Sequence, residues 1–144
     1  MKESDLIYDW NVVNYDFSRD ESNHPHPIWF DDETLRDGLQ SPSARNPTIE
    51  EKIELLTYME KLGIQKVDLG LPGAGPFHIG HIDAMLTHIV ENDYQIRPGC
   101  AVRTVVSDIE PLVDLQAKHE MQIQASAFLG TSPIRQYAEN WTME

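Results

Sequence analysis

The sequence contains a single cysteine, Cys100, among 144 residues. One cysteine cannot form a disulfide within the chain, which favours a reducing compartment. Long apolar runs are also missing, because none approaches the roughly 20 residues that a helix needs to cross a bilayer. The acidic and polar N-terminus lacks the pattern of a secretory signal. We therefore expect a cytoplasmic protein with no membrane partner.

Basic residues are scarce, with 11 Lys and Arg against 24 Asp and Glu and a formal net charge of −13. Such a charge repels the phosphate backbone, so nucleic acid is not an expected partner. The hydrophobic content of 40% and the charged content of 24% are those of a soluble globular domain. The length is sufficient for one domain with its own core.

The first 27 residues are interpreted as an acidic N-terminal extension. They contain six acidic and two basic residues and end in a His-Pro-His-Pro run. Four aromatic residues within them argue against complete disorder, because aromatic groups usually find a surface to cover. The folded domain is expected over residues 28–144 as about four βα units.

Apolar patterning in the rest of the chain predicts alternating strands and helices. Four short apolar segments are typical of strands, at 27–30, 64–71, 99–106 and 123–129. Between them, apolar residues recur at steps of three and four, which is typical of helices that pack one face on a sheet. This alternation requires a parallel sheet with right-handed crossovers, so the predicted fold class is α/β.

Two stretches have the spacing of a capping box, in which Ser or Thr is followed three residues later by Glu. Thr48 with Glu51 predicts the start of the first helix, and Gly63 predicts its end. Ser107 with Glu110 predicts the start of the third helix in the same way.

Polar residues recur near the ends of the predicted strands, the edge at which parallel α/β folds bind ligands. In strand order they are Arg36 with Asp37, Asp68, Arg103, and Thr131 with Ser132. A strand carboxylate such as Asp68 is costly to bury without a partner, and Arg36 is the expected partner. A fixed cation beside the Asp37 carboxylate can position an oxyanion and a divalent metal together.

Plainer interpretations are open for the same residues. Arg36 and Asp37 are also consistent with an ion-paired turn before a glycine. Asp68 or Arg103 is consistent with a solvent-facing position on an edge strand, and the Thr-Ser pair with a cap of the next helix. The spacing of His78 and His81 favours solvated histidines on one face of the second helix.

The segment 32–42, DETLRDGLQSP, resembles the D-x-T-L-R-D-G-x-Q-S-P signature of the metallolyases related to isopropylmalate synthase. This family, with its pyruvate carboxyltransferase domain, includes isopropylmalate, homocitrate and citramalate synthases and hydroxymethylglutaryl-CoA lyase. The resemblance covers about residues 28–135. VDLGLP at 67–72 is similar to the family's V-E-x-G-F-P strand, and GTSPI at 130–134 is similar to its G-T-S-P-I segment.

The resemblance implies a (β/α)8 TIM barrel, which typically needs about 250 residues, so this chain would correspond to its N-terminal half. It implies a transferase of amino-acid biosynthesis that condenses acetyl-CoA with a 2-oxo acid. A hydroxyacyl-CoA lyase of the same family is the alternative activity. A second alternative is a catalytically inactive half-barrel that oligomerises or binds a partner, since four strands leave open edges. Expected partners are therefore the 2-oxo acid, acetyl-CoA, and either further copies of the chain or the missing half of the barrel.

By position, the resemblance makes Arg36 the residue that holds the 2-oxo carbonyl, with Asp68 as the second catalytic residue. Asp68 stands where the family usually has glutamate, which shortens its reach by one methylene. The substrate-binding residues are expected to be Arg36, Gln40, Arg103, Thr131 and Ser132.

Asp37 would be the first ligand of a divalent metal, Mg²⁺, Mn²⁺ or Zn²⁺, by the same resemblance. The family completes that site with a His-x-His pair and an asparagine from later strands. No His-x-His follows the fourth predicted strand in this sequence. The remaining metal ligands are therefore expected to lie outside this chain.

Overall fold

The structure, a computed structural model, describes residues 6–7, 29–42 and 44–142. The predicted extension over residues 1–27 lies outside the described residues, apart from Leu6 and Ile7. The chain divides into two compact units. One unit is Ile28–Phe128, and the other comprises Met1–Pro27 and Leu129–Glu144.

Strands and helices alternate along the unit Ile28–Phe128, as the sequence predicted. Its elements are β1 (Asp31–Asp32), α1 (Ile49–Leu62), β2 (Lys66–Asp68), α2 (Pro76–Glu91), β3 (Arg97–Arg103), α3 (Val106–His119) and β4 (Gln124–Phe128). The other unit contains α4 (Pro133–Glu139). Within the described ranges, no helix combines the length and apolarity that crossing a membrane requires.

The four strands form one sheet in the order β1-β2-β3-β4, and every neighbouring pair is parallel. Each of the helices α1, α2 and α3 is therefore a crossover between adjacent strands, the arrangement from which (β/α)8 barrels are built. The predicted α/β class is confirmed, and the topology is that expected of a partial TIM barrel.

The core lies where the apolar stripes of the helices meet the sheet. Its most buried members include Leu56, Val67, Leu69, Ile82, Met85, Leu86, Cys100 and Val102. Burial raises the pKa of the Cys100 thiol far above its usual range, which keeps the thiol protonated and unreactive. Cys100 is thus a small packing residue of β3, as its apolar surroundings in the sequence indicated.

The first strand starts later than predicted. β1 covers Asp31–Asp32, whereas the apolar residues Trp29 and Phe30 before it are exposed. The Trp29 ring lies 4.3 Å from the Arg97 guanidinium carbon, measured to the ring centroid, so Trp29 has a cation–π partner at the start of β3. The prediction of a buried strand at 27–30 is therefore wrong for its described residues.

One of the two predicted capping boxes is present. The Thr48 hydroxyl accepts a hydrogen bond from the backbone N–H of Glu51, and the Glu51 carboxylate accepts one from the backbone N–H of Thr48. Gly63 ends α1 in the left-handed conformation, with φ of 75°. The Ser107 prediction is wrong, because the N-cap of α3 is Val105, two residues earlier, and it has no side-chain cap.

Candidate active site

Arg36 lies in a tight turn between β1 and a 3₁₀ turn at Asp37–Gln40. The backbone N–H groups of Arg36 and Gly38 both donate to the carbonyl oxygen of Glu33, at 3.1 and 3.0 Å. This turn holds the Arg36 side chain beyond the carboxyl end of β1. The sequence predicted that position from the apolar lead-in and the glycine.

Three carboxylates surround the Arg36 guanidinium. Nη2 donates to Glu33, Nη1 donates to Asp37 at 3.0 Å, and Nε lies 3.6 Å from Oδ2 of Asp68. The last distance is beyond hydrogen-bonding range, and Nε is buried without a hydrogen-bond partner in the part of the chain that the structure describes. The Nε donor of Arg36 therefore lies near the Asp68 carboxylate without forming a hydrogen bond to it.

Asp68 occupies the end of β2 and is 4% exposed. Its Oδ1 accepts a hydrogen bond from the backbone N–H of Gly70 at 3.0 Å. Burial raises the pKa of this carboxyl, and the Glu33 carboxylate adds to that, while the Gly70 N–H and the Arg36 guanidinium oppose it. β2 lies between β1 and β3, so the solvent-facing interpretation of Asp68 is wrong and the expected neighbour, Arg36, is present.

The raised pKa of Asp68 gives the stability of the chain a predictable pH dependence. At pH values between the Asp68 pKa in the unfolded chain and its raised pKa in the folded chain, the folded chain binds the proton more tightly. The contribution of this carboxyl to stability therefore falls as pH rises. Asp68→Asn has the same shape and does not ionise. We expect the stability of the wild type relative to Asp68→Asn to fall as pH rises from about 3.9, the ordinary Asp pKa, through the raised value.

Urea midpoints of both proteins between about pH 3.5 and pH 7 measure this difference, with unchanged circular dichroism as the check on folding. Titrations common to both chains, such as that of Asp108, cancel in the comparison. If the stability of the wild type relative to Asp68→Asn instead rises with pH, the Arg36 guanidinium outweighs burial and lowers the pKa of Asp68.

A cavity of about 190 Å³ opens beside Arg36, between the loops that follow β1 and β2. The charged or polar side chains that line it are Arg36, Gln40, Asn46, Lys52, His78 and His81. Its apolar lining comes from Leu35, Leu39, Leu69, Leu71 and Ile82. Its volume leaves room for a small organic acid beside the guanidinium. Arg36 and Gln40, both predicted from sequence as substrate-binding residues, line this one cavity.

Four polar residues of the cavity lining, Asn46, Lys52, His78 and His81, were not among the predicted site residues. Lys52 is 4% exposed although it is a lysine, and burial lowers its pKa. His78 and His81 are half-buried and line the cavity, so they are less exposed than surface histidines usually are. Lys52 lies three residues after Ile49 and four before Leu56, so its place on the apolar face of α1 was readable from spacing.

Arg103 has an ion-pair partner within the chain. Its guanidinium binds the Asp108 carboxylate through Nε at 2.8 Å and Nη2 at 2.7 Å, and Arg103 does not line the Arg36 cavity. Asp108 is 1% exposed, and Arg103 lowers the pKa of that carboxyl. This ion pair ties the end of β3 to the first turn of α3. The structure thus gives Arg103 a structural partner, and substrate binding by Arg103 stays a prediction.

Thr131 and Ser132 precede α4, in the unit that contains Leu129–Glu144. The Ser132 hydroxyl accepts a hydrogen bond from the backbone N–H of Arg135 at 3.3 Å, which is an N-cap of α4. The Thr131 carbonyl accepts one from the Gln136 side chain at 2.6 Å. The capping interpretation therefore holds for Ser132, and substrate binding by this pair stays a prediction.

Asp37 was predicted as a metal ligand. Its side chain is 66% exposed and binds Arg36. Among residues 6–7, 29–42 and 44–142, no group of three or more His, Cys, Asp or Glu side chains is placed to hold a metal ion. Mg²⁺, Mn²⁺ and Zn²⁺ each require several ligands, so the described donors do not form a metal site by themselves.

The chain was compared with known families, proteins and structures. The HMGL-like family model matches residues 26–143. Similar curated proteins include the 2-isopropylmalate synthases of Sediminispirochaeta smaragdinae, 30% identical over 114 residues, and Streptococcus gallolyticus, 35% identical over 121 residues. A third is that of Campylobacter hominis, 36% identical over 103 residues. No solved structure gives a significant match.

These alignments cover 78%, 81% and 72% of this chain but 21%, 22% and 19% of the respective relatives. The chain thus spans about a fifth of the length of the curated relatives it matches. The family match includes the Arg36 turn, the cavity and all four strands. On this extent of similarity, together with its parallel α/β fold, the chain belongs to the HMGL-like family.

Proposed function

We propose that this chain provides part of the active site of an acyltransferase that condenses acetyl-CoA with a 2-oxo acid. The observation that carries the proposal is the Arg36 guanidinium, largely buried, aligned by carboxylates and placed at the mouth of a cavity of suitable size. The names of the similar proteins, 2-isopropylmalate synthases, support the same reaction class.

In the proposed reaction the methyl carbon of acetyl-CoA, after losing a proton, attacks C2 of the 2-oxo acid. The electron pair of the carbonyl moves to its oxygen, and Arg36 stabilises the negative charge that develops there. A preorganised donor in a site shielded from water is effective in this role because it needs little reorganisation during the reaction. The alkoxide is then protonated, and hydrolysis of the thioester by water releases CoA as a free thiol.

In this proposal Asp68 supports Arg36 at the Nε atom of the guanidinium. Arg36 Nε and Asp68 Oδ2 are 3.6 Å apart, so a small shift of either group forms a direct hydrogen bond. A guanidinium held by several carboxylates has little rotational freedom left to lose when substrate binds. Asp68 is thus proposed to orient the catalytic arginine.

The HMGL-like family generally uses a divalent metal, but the described residues do not form a metal site, and no step above depends on one. We propose that any further ligands beside Asp37 are supplied by a segment beyond the described residues or by another copy of the chain. The sheet is consistent with such association, because β4 is an edge strand and four of its five residues are exposed.

Release of free thiol from acetyl-CoA tests the proposal. The full polypeptide that carries this sequence is incubated with acetyl-CoA and one member of a panel of 2-oxo acids, with and without EDTA. We expect thiol release that depends on the 2-oxo acid. Thiol release at the same rate without any 2-oxo acid would refute condensation. Formation of acetyl-CoA from a hydroxyacyl-CoA, without the forward reaction, would favour the lyase alternative.

A further inference from the structure

Asp108 is a buried carboxylate that takes three hydrogen bonds from one residue, Arg103. The backbone N–H of Arg103 donates to Oδ2 at 3.0 Å, Nε donates to the same oxygen at 2.8 Å, and Nη2 donates to Oδ1 at 2.7 Å. Asp108 itself is 1% exposed. Paired bonds from a guanidinium fix the plane of a carboxylate, so the Asp108 side chain has little freedom to turn or to withdraw.

The loop that follows β2 packs directly on this carboxylate. Gly73 belongs to the 3₁₀ turn Pro72–Ala74, and a Cβ atom added to Gly73 would overlap Asp108, since it would lie 2.6 Å from Oδ2 and closer still to Cγ and Oδ1. Gly73 does not have a positive φ, so its backbone conformation would accept alanine. The space that a side chain needs at position 73 is therefore taken by a carboxylate that three hydrogen bonds keep in place.

The same turn forms part of the wall of the Arg36 cavity. Leu71 precedes the turn, Ala74 ends it, and both line the cavity. The helix α2 begins two residues after the turn and carries three more lining residues, His78, His81 and Ile82. A shift of the turn at Gly73 therefore moves the cavity wall both before and after it.

We propose that Asp108 is a positioning residue of the candidate active site and that it acts through Gly73. The carboxylate, fixed by Arg103, holds the turn Pro72–Ala74, and the turn holds the wall of the cavity. Asp108 and Gly73 do not line the cavity themselves, so each acts on it only through the turn. The importance of this wall for condensation of a 2-oxo acid rests on the proposed function, whereas the contact between Gly73 and Asp108 does not.

A double-mutant cycle between positions 73 and 108 tests this route. Gly73→Ala is made in the wild-type, Asp108→Ala and Asp108→Asn backgrounds of the full polypeptide that carries this sequence. Gly80→Ala is the matched control, because Gly80 lies on α2 outside the cavity lining and a Cβ atom added to it meets no atom within 4 Å. Thiol-release kinetics and histidine-ring NMR spectra are recorded for each protein, and circular dichroism verifies folding.

We expect Gly73→Ala to lower kcat/KM for the 2-oxo acid by about tenfold to a hundredfold, because a displaced wall misplaces the substrate. Gly80→Ala should stay within about twofold of the wild type. In the Asp108→Ala background the added Cβ atom has room, so Gly73→Ala should cost no more than about a further twofold. Asp108→Asn keeps the shape of the carboxyl group, so in that background the loss caused by Gly73→Ala should remain.

The histidine spectra of the ligand-free protein separate positioning from a purely structural role. Gly73→Ala should shift the ring signals of His78 and His81, which line the cavity. The signals of His88 should not change, since His88 contacts Tyr94 near the other end of α2. A variant that loses only stability, measured by urea denaturation, would keep the wild-type kcat/KM and the wild-type signals of both cavity histidines.

Loss of stability alone would overturn the proposal. An equal loss of kcat/KM for Gly73→Ala in the wild-type and Asp108→Ala backgrounds would also overturn it, because the effect would then not pass through Asp108. If the wild type shows no thiol release that depends on a 2-oxo acid, the proposed function fails, while the histidine signals still decide whether Asp108 positions the cavity wall. If Asp108→Ala does not fold, the histidine signals of Gly73→Ala and Gly80→Ala decide it.

Discussion

Replacing Arg36 by alanine is expected to lower kcat for 2-oxo acid-dependent thiol release by about 10²–10³, the effect of removing one oxyanion-stabilising donor. The guanidinium is 20% exposed and held by Glu33, Asp37 and Asp68 in the ground state. In the proposed mechanism, a group fixed in this way stabilises charge that appears only in the transition state. The loss should therefore be larger in kcat than in KM.

Arg45→Ala is the matched control for Arg36→Ala. Arg45 pairs with Glu51 on the surface and is 72% exposed, so its removal takes away the same charge without touching the cavity. Exposed ion pairs contribute little, and kcat should stay within about twofold of the wild type. Arg36→Lys should recover only part of the activity because lysine lacks the planar set of donors. An Arg36→Ala variant that folds and retains wild-type kcat would remove Arg36 from the proposed mechanism.

Local signals in the sequence predicted the elements that depend on local chemistry. The Thr48 capping box and the Gly63 cap are made by residues within one turn, so their spacing is sufficient to place both ends of α1. The proximity of Arg36 and Asp68 was also predictable, because adjacent parallel strands bring their carboxyl ends to one edge. The family resemblance and the predicted alternation of strands and helices both indicated Arg36 and Asp68.

Features that depend on tertiary partners were not predictable in this way. Ser107 has capping spacing, but Asp108 one residue later takes a bidentate bond from Arg103, and α3 starts at Val106 instead. The same ion pair gives Arg103 a partner that the sequence did not indicate, and Arg103 does not line the Arg36 cavity. Lys52 was missed because a lysine on an apolar stripe usually extends its charge to solvent, and only the structure places it in a cavity.

The largest expected change in stability comes from Leu56, which is completely buried on the face of α1 that also carries Lys52. Leu56→Ala removes apolar contacts and leaves a cavity that a close-packed core fills only in part. We expect the free energy of unfolding to fall by about 2–5 kcal/mol. Urea denaturation followed by circular dichroism measures this change.

Leu62→Ala provides the comparison, since Leu62 lies at the end of the same helix and is 78% exposed. The same three carbons are deleted with almost the same effect on helix propensity, so this variant should stay within about 0.5 kcal/mol of the wild type. Equal losses for the two variants would mean that α1 does not pack on the sheet as described. Because α1 also carries Lys52 into the cavity, such a result would undermine the candidate site together with the core.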